Sequence, residues 1–137
     1  MASRLNPYLT FDSNARQAME FYRDVFGGTL DVNTFGEFGS PDAAEADKVM
    51  HAQLETDSGF TLMASDTPAG MQRNPGDNIS ISLSGTDADE LRGYWEKLSD
   101  GGTVSVPLEK QMWGDEFGMC VDQFGVAWMV NIGQPQA

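Results

Sequence analysis

At 137 residues, 40% of them hydrophobic, the chain suits one domain or two small units sharing a core, and its composition is that of a folded protein. A formal charge of −13 excludes partners that present dense negative charge, so nucleic acid and anionic membrane surfaces would be repelled. No apolar run approaches the ~18 residues that span a bilayer, and the start from Met1 to Pro7 lacks the apolar stretch of a secretory signal, so a cytoplasmic protein is expected.

The first predicted element is a short alternating strand, Tyr8-Leu9-Thr10-Phe11. A helix follows, in which Ala15, Ala18, Met19, Tyr22, Val25 and Phe26 recur on one face. Asp12 or Ser13 is placed to cap its start, and Gly27-Gly28 to stop it. Three extended segments come next, at about 29–36, 48–56 and 59–65, and the tight turn Asp57-Ser58-Gly59 joins the last two. Segment 33–48 is rich in turn formers and acids, and segment 66–78 carries Pro68, Gly70, Pro75 and Gly76. Long connections of this kind are candidate lids over a binding cleft.

The pattern then repeats. Ile79-Ser80-Ile81-Ser82-Leu83 reads as a strand; Leu91, Tyr94, Trp95 and Leu98 mark a helix face behind a Thr86 or Asp87 cap; Gly101-Gly102 ends it. Extended segments at about 103–111, 116–122 and 125–132 follow, with Asp122-Gln123-Phe124-Gly125 turning between the last two. Phe21-Tyr22 and Gly27-Gly28-Thr29-Leu30 thus return as Tyr94-Trp95 and Gly101-Gly102-Thr103-Val104. The run from Gly59 to Ser65 aligns with that from Gly125 to Asn131, which sets Met63 against Met129. The expected fold is a single α+β domain over 1–137 of tandem βαβββ modules, at about 5–66 and 78–132. They are expected to form a curved, mostly antiparallel eight-stranded sheet around a cleft, with the helices outside.

Two residues invite a chemical reading. Cys120 lies between Met119 and Val121 on a strand and reads as a small buried hydrophobe; as a nucleophile it would need a base or cation beside it. His51 is the single histidine, and alternation puts His51, Gln53 and Glu55 on one strand face with Met50, Ala52 and Leu54 on the other. Lining the cleft, His51 could be a general base oriented by Glu55 or another carboxylate; otherwise it is a structural strand histidine. His51 and Glu55 cannot share one metal ion, since four residues of strand span about 13 Å while metal bonds are about 2 Å. Phe35, Phe38, Met63, Met71, Trp113 and Met129 are candidates for an apolar pocket, with Tyr8, Ser80 and Ser82 as orienting polar groups.

The duplicated module, with an aromatic pair late in each helix and a Gly-Gly-Thr exit, resembles the glyoxalase, bleomycin-resistance and extradiol-dioxygenase (vicinal-oxygen-chelate) superfamily. Tyr8-Leu9-Thr10-Phe11, Ala18-Met19-Glu20-Phe21-Tyr22, Val49-Met50-His51-Ala52, Leu62-Met63-Ala64-Ser65-Asp66, Trp113-Gly114-Asp115 and Asp122-Gln123-Phe124-Gly125-Val126 resemble its PhnB-like branch. The resemblance implies a homodimer, and a divalent-metal site with one ligand near the opening strand and one on the last strand of each module. Those positions hold Met63 and Met129 on the last strands, Ser80 on the second opening strand, and Tyr8 or Pro7 on the first. Thioethers are soft donors that select copper(I), so the usual metal is expected to be missing and no cofactor is expected. No glycine-rich nucleotide-binding motif of the kind a methyltransferase needs is present.

Two functions stay open on these grounds. One is a metal-free module binding a small molecule, cationic in view of the acidity, or aromatic, through Tyr8, Gln53, Glu55, Met63, Ser80, Ser82, Trp113 and Met129. The other is a lyase, isomerase or oxygenase-type enzyme on a small oxygenated metabolite, using His51 or a divalent metal at unusual positions.

Overall fold

Helical spacing in two stretches and alternation in eight others produce two helices and eight strands among the residues that the computed structural model describes, which are 3–39, 46–68 and 70–134. The side chain of Phe38, one of the candidate pocket residues, lies outside the described set. The chain divides into two compact units, Met1–Pro75 and Gly76–Ala137. In the first unit β1 (Tyr8–Phe11), α1 (Ala15–Phe26), β2 (Thr29–Thr34), β3 (Val49–Glu55) and β4 (Thr61–Asp66) follow one another, with a short 3-10 helix at Gly36–Phe38. In the second, β5 (Ile81–Gly85), α2 (Ala88–Ser99), β6 (Thr103–Lys110), β7 (Glu116–Val121) and β8 (Ala127–Ile132) repeat the βαβββ order.

Each unit builds its own four-stranded sheet, in the orders β1-β4-β3-β2 and β5-β8-β7-β6. The opening strand runs parallel to the last strand of its unit, and every other pairing is antiparallel. A helical crossover between β1 and β2 carries the chain over one sheet face, where α1 packs on β2, β3 and β4. Its apolar face, Ala15, Ala18, Met19, Tyr22, Val25 and Phe26, is buried there. Leu91, Tyr94, Trp95 and Leu98 of α2 do the same in the second unit. Gly118 gives Trp95 its place, since a Cβ on Gly118 would stand 2.8 Å from the indole.

The paired glycines after each helix meet a demand stricter than stopping it. Gly27, Gly28 and Gly101 have positive φ, but the tightest constraint is where the chain crosses the neighbouring hairpin. A Cβ at Gly28 would lie 2.1 Å from the carbonyl oxygen of Glu55, and one at Gly102 would lie 2.2 Å from that of Val121. Both are backbone atoms held in a sheet and cannot step aside.

The hairpin turns are stapled at matching positions. In the first unit the Thr56 hydroxyl accepts from the Phe60 N–H at 2.9 Å. In the second, Asp122 does more: one carboxylate oxygen accepts from the N–H groups of Phe124 (2.8 Å) and Val126 (3.1 Å), the other from the Trp128 indole N–H at 2.8 Å.

The helix starts differ from expectation. Asp87 caps α2, its carboxylate accepting from the Glu90 N–H at 3.1 Å. Neither Asp12 nor Ser13 caps α1; Asn14 occupies the cap position and makes no side-chain bond there. Asp66, 2% exposed at the end of β4, takes the role instead, accepting from the Ala15 N–H at 2.9 Å and the Val49 N–H at 2.8 Å. Two strand details also change. Register slips at the start of β3, where Asn33 faces His51 but Thr34 faces Val49, so Val49 rather than Met50 joins Ala52 and Leu54 in the core. The second opening strand begins at Ile81, leaving Ile79 and Ser80 before it.

Replacing Gly28 or Gly102 with alanine is expected to cost roughly 2–4 kcal/mol each, read as a lower urea midpoint. Gly93→Ala, at a helical position with nothing within 4 Å of a new Cβ, should instead stabilise by up to about 1 kcal/mol.

Candidate functional site

In the first unit the sheet face away from α1 gathers most of the polar residues singled out from sequence. Because β1 pairs with β4 and β4 with β3, Tyr8 lies beside Met63, and Met63 beside Gln53; Asp31 of β2 completes the row. The Tyr8 side chain reaches over β4 to the next strand, and its hydroxyl lies 3.3 Å from Nδ1 of His51, the ring centroids 5.8 Å apart. Tyr8 is 51% exposed, and His51, Gln53 and Met63 are half-buried. The result is a phenol, an imidazole, a carboxamide and a thioether on one open surface.

Glu55 does not orient His51. It accepts from Gln53 Nε2 at 3.0 Å and lies 3.6 Å from the Arg4 guanidinium, two contacts that engage its carboxylate at the end of β3. Among the described residues no carboxylate hydrogen-bonds to His51; its side-chain partner is the Tyr8 hydroxyl. When that hydroxyl donates to Nδ1, the imidazole proton sits on Nε2, leaving a donor on the outer edge of the ring. A phenol in this role holds the ring's direction but does not stabilise an imidazolium as a carboxylate would.

The second unit presents the matching face with different chemistry. Ser82 lies beside Met129, and Met129 beside Met119. Since Tyr8 pairs with Met63 as Ser82 pairs with Met129, the counterpart of Tyr8 is Ser82, and Ser80 falls two residues short of it. The four positions implied as metal ligands therefore carry a phenol, a hydroxyl and two thioethers. That set does not fit nickel, zinc, iron or manganese, which take imidazole and carboxylate. Among the described residues no three His, Cys, Asp or Glu side chains come together in a way that could hold an ion.

Other candidates are scattered. Met71 is 67% exposed and Trp113 63% exposed, the latter at the β6–β7 turn with its ring centroid 6.2 Å from that of Phe117. Phe35 lies beside the 3-10 helix, and part of the expected lid, residues 40–45, lies outside the described set. Cys120, 2% exposed on β7, has its thiol pushed up to about 11 by burial and secondarily by the Asp122 carboxylate. A thiol so shifted is almost wholly protonated at neutral pH and is no nucleophile.

Known proteins place this chain. A family model described as 3-demethylubiquinone-9 3-methyltransferase matches residues 3–131. A solved Pseudomonas aeruginosa protein is 39% identical, with a TM-score of 0.87 over 98% of this chain and 100% of its own. An uncharacterized Mycobacterium bovis protein is 34% identical over 96% of this chain and 82% of its own length. A putative 3-demethylubiquinone-9 3-methyltransferase, a PhnB protein from Bacillus cereus, shares the fold at 21% identity and a TM-score of 0.70, covering 96% of this chain and 100% of its own. The chain belongs to the 3-demethylubiquinone-9 3-methyltransferase family, and it shares its fold with the Bacillus cereus PhnB protein and with a glyoxylase/bleomycin resistance protein/dioxygenase domain from Frankia. No helix among the described residues is long and apolar enough to cross a membrane.

Cys120 is expected to resist a thiol reagent at pH 7.5 in the native protein and to react stoichiometrically in guanidinium. The folded thiol holds its proton more tightly than the unfolded one, so this contribution to stability is intact at neutral pH. It should fade as pH rises from 9.0 toward 11, visible as a falling melting temperature.

Proposed function

We propose that this PhnB-like protein is a metal-independent binder of a small molecule, seated on the first unit's sheet face against Tyr8, His51, Gln53 and Met63. The reading is carried by the Tyr8–His51 hydrogen bond. It orients a half-buried imidazole toward a ligand, and among the described residues no carboxylate joins it as proton-transfer chemistry would recruit. Methionine at the chelating positions supports it further, because a thioether offers dispersion and contact with aromatic rings where an ion would need a hard donor. The surface suits a small ligand with an aromatic body and a hydrogen-bonding group, and the overall acidity favours a cationic one. Function as a homodimer in the cytoplasm belongs to the same proposal. The competing reading is a lyase, isomerase or oxygenase-type enzyme with His51 as general base; the oriented imidazole is the observation in its favour.

Native mass spectrometry and elemental analysis of protein made without an affinity tag or added metal should show no stoichiometric nickel, zinc, manganese or iron. Titrating these ions should leave the melting temperature unchanged. One tightly held ion per chain would overturn the metal-independent reading. For any small molecule that co-purifies or emerges from a thermal-shift screen, Tyr8→Phe should weaken binding about two- to tenfold. Turnover of that molecule, lost in His51→Ala, would establish the enzyme instead.

A further inference from the structure

The β6–β7 connection is a short, well-tied loop that holds a tryptophan out into solvent. Gln111 donates its N–H to the Asp115 carbonyl at 2.8 Å, Gly114 donates to the Gln111 carbonyl at 3.0 Å, and the Gln134 side chain donates to the Gly114 carbonyl at 2.7 Å. Gly114 has φ +100°, a conformation that L side chains rarely adopt, so the turn is specified by sequence. On this ordered frame Trp113 is 63% exposed, whereas the chain's other tryptophans, Trp95 and Trp128, are buried. A large exposed indole on an organised turn forgoes the burial that ordinarily stabilises a fold.

Three further side chains stand with it. The Phe117 ring is inclined 60° to the indole at 6.2 Å, giving two aromatic walls at an angle. Asn131 lies directly across from Phe117 in the β7–β8 pair, and its amide donates to Asp115 Oδ2 at 3.1 Å. The carboxylate is thereby tied to the residue facing Phe117, with opposed side chains in such a pair about 5 Å apart at Cβ. Glu116, the neighbouring acid, is engaged by the Arg92 guanidinium. Among the described residues the Asp115 carboxylate hydrogen-bonds only to the neutral Asn131 amide and has no cationic partner.

We infer that Trp113, Phe117 and Asp115 form a site for a small organic cation of the quaternary or tertiary ammonium class. Aromatic faces attract such a cation through their quadrupoles, a fixed carboxylate adds a charge partner, and the molecule's charge of −13 raises the local concentration of cations. The methyl-rich ammonium is preferred over a metal ion because the site supplies two rings and one carboxylate, and a hard ion would keep its water. The site lies wholly in the second unit and does not rest on the function proposed for the first sheet.

Choline is the probe, with 3,3-dimethylbutan-1-ol as its uncharged isostere and sodium chloride as the ionic-strength control. Because Trp113 is the exposed indole, binding should appear as saturable quenching of the solvent-exposed part of the fluorescence. Calorimetry supplies a readout independent of the tryptophan. Choline should saturate while the isostere and sodium chloride do not, and Asp115→Asn should weaken choline about tenfold. Trp113→Leu should abolish the calorimetric signal with the far-ultraviolet circular dichroism unchanged. Equal responses to choline and its isostere in the native protein, a signal linear in concentration, or undiminished binding by folded Asp115→Asn would overturn the assignment.

Discussion

The fold depends on two places where backbone meets backbone with no room for a side chain. After each helix the chain must pass directly over the hairpin of the same unit before it can lie down as the next strand. Gly28 against Glu55 and Gly102 against Val121 allow that passage. With the crossing made, β2 can pair with β3 from Thr29 opposite Glu55, and β6 with β7 from Thr103 opposite Val121. Those two starting pairs set the register of the edge strand, β2 or β6, that closes one side of each sheet.

The two exposed faces share a lattice and differ in chemistry. Corresponding positions hold Tyr8 and Ser82, Met63 and Met129, Ser65 and Asn131. In the first unit the long phenol bridges to an imidazole two strands away; in the second the short hydroxyl cannot, and the polar interest moves to the far end, where Asn131 holds Asp115. A repeated scaffold thus fixes where side chains stand and leaves their chemistry free to diverge, as expected where function resides in sites carried by a fold.

Much of this was legible in the sequence because it is periodic or local. The buried faces of both helices follow helical spacing residue by residue, and the glycine pairs announce the duplication. What was hidden depends on distant or ambiguous information. Ile79-Ser80-Ile81-Ser82 alternates identically when slid by two residues, so its pattern cannot distinguish Ser80 from Ser82 as the partner of Met129; only the pairing with β8 does. The slip at Met50 is a bulge, which breaks the alternation that would reveal it. Glu55 looks like a partner for His51 by proximity in sequence, yet Tyr8, 43 residues away, reaches the ring. The cap of α1 likewise comes from Asp66, far beyond any local motif.

That last difference bears on the order of assembly. Asp87 sits three residues from the N–H it accepts, so the first turn of α2 can close while the rest of its unit is still unstructured. The first turn of α1 waits for a carboxylate 51 residues downstream, which arrives only once β4 has been brought alongside and the intervening loop entropy has been overcome. Of two helices of the same length, one thus has its first turn closed by a local carboxylate and the other by one that only the assembled sheet supplies.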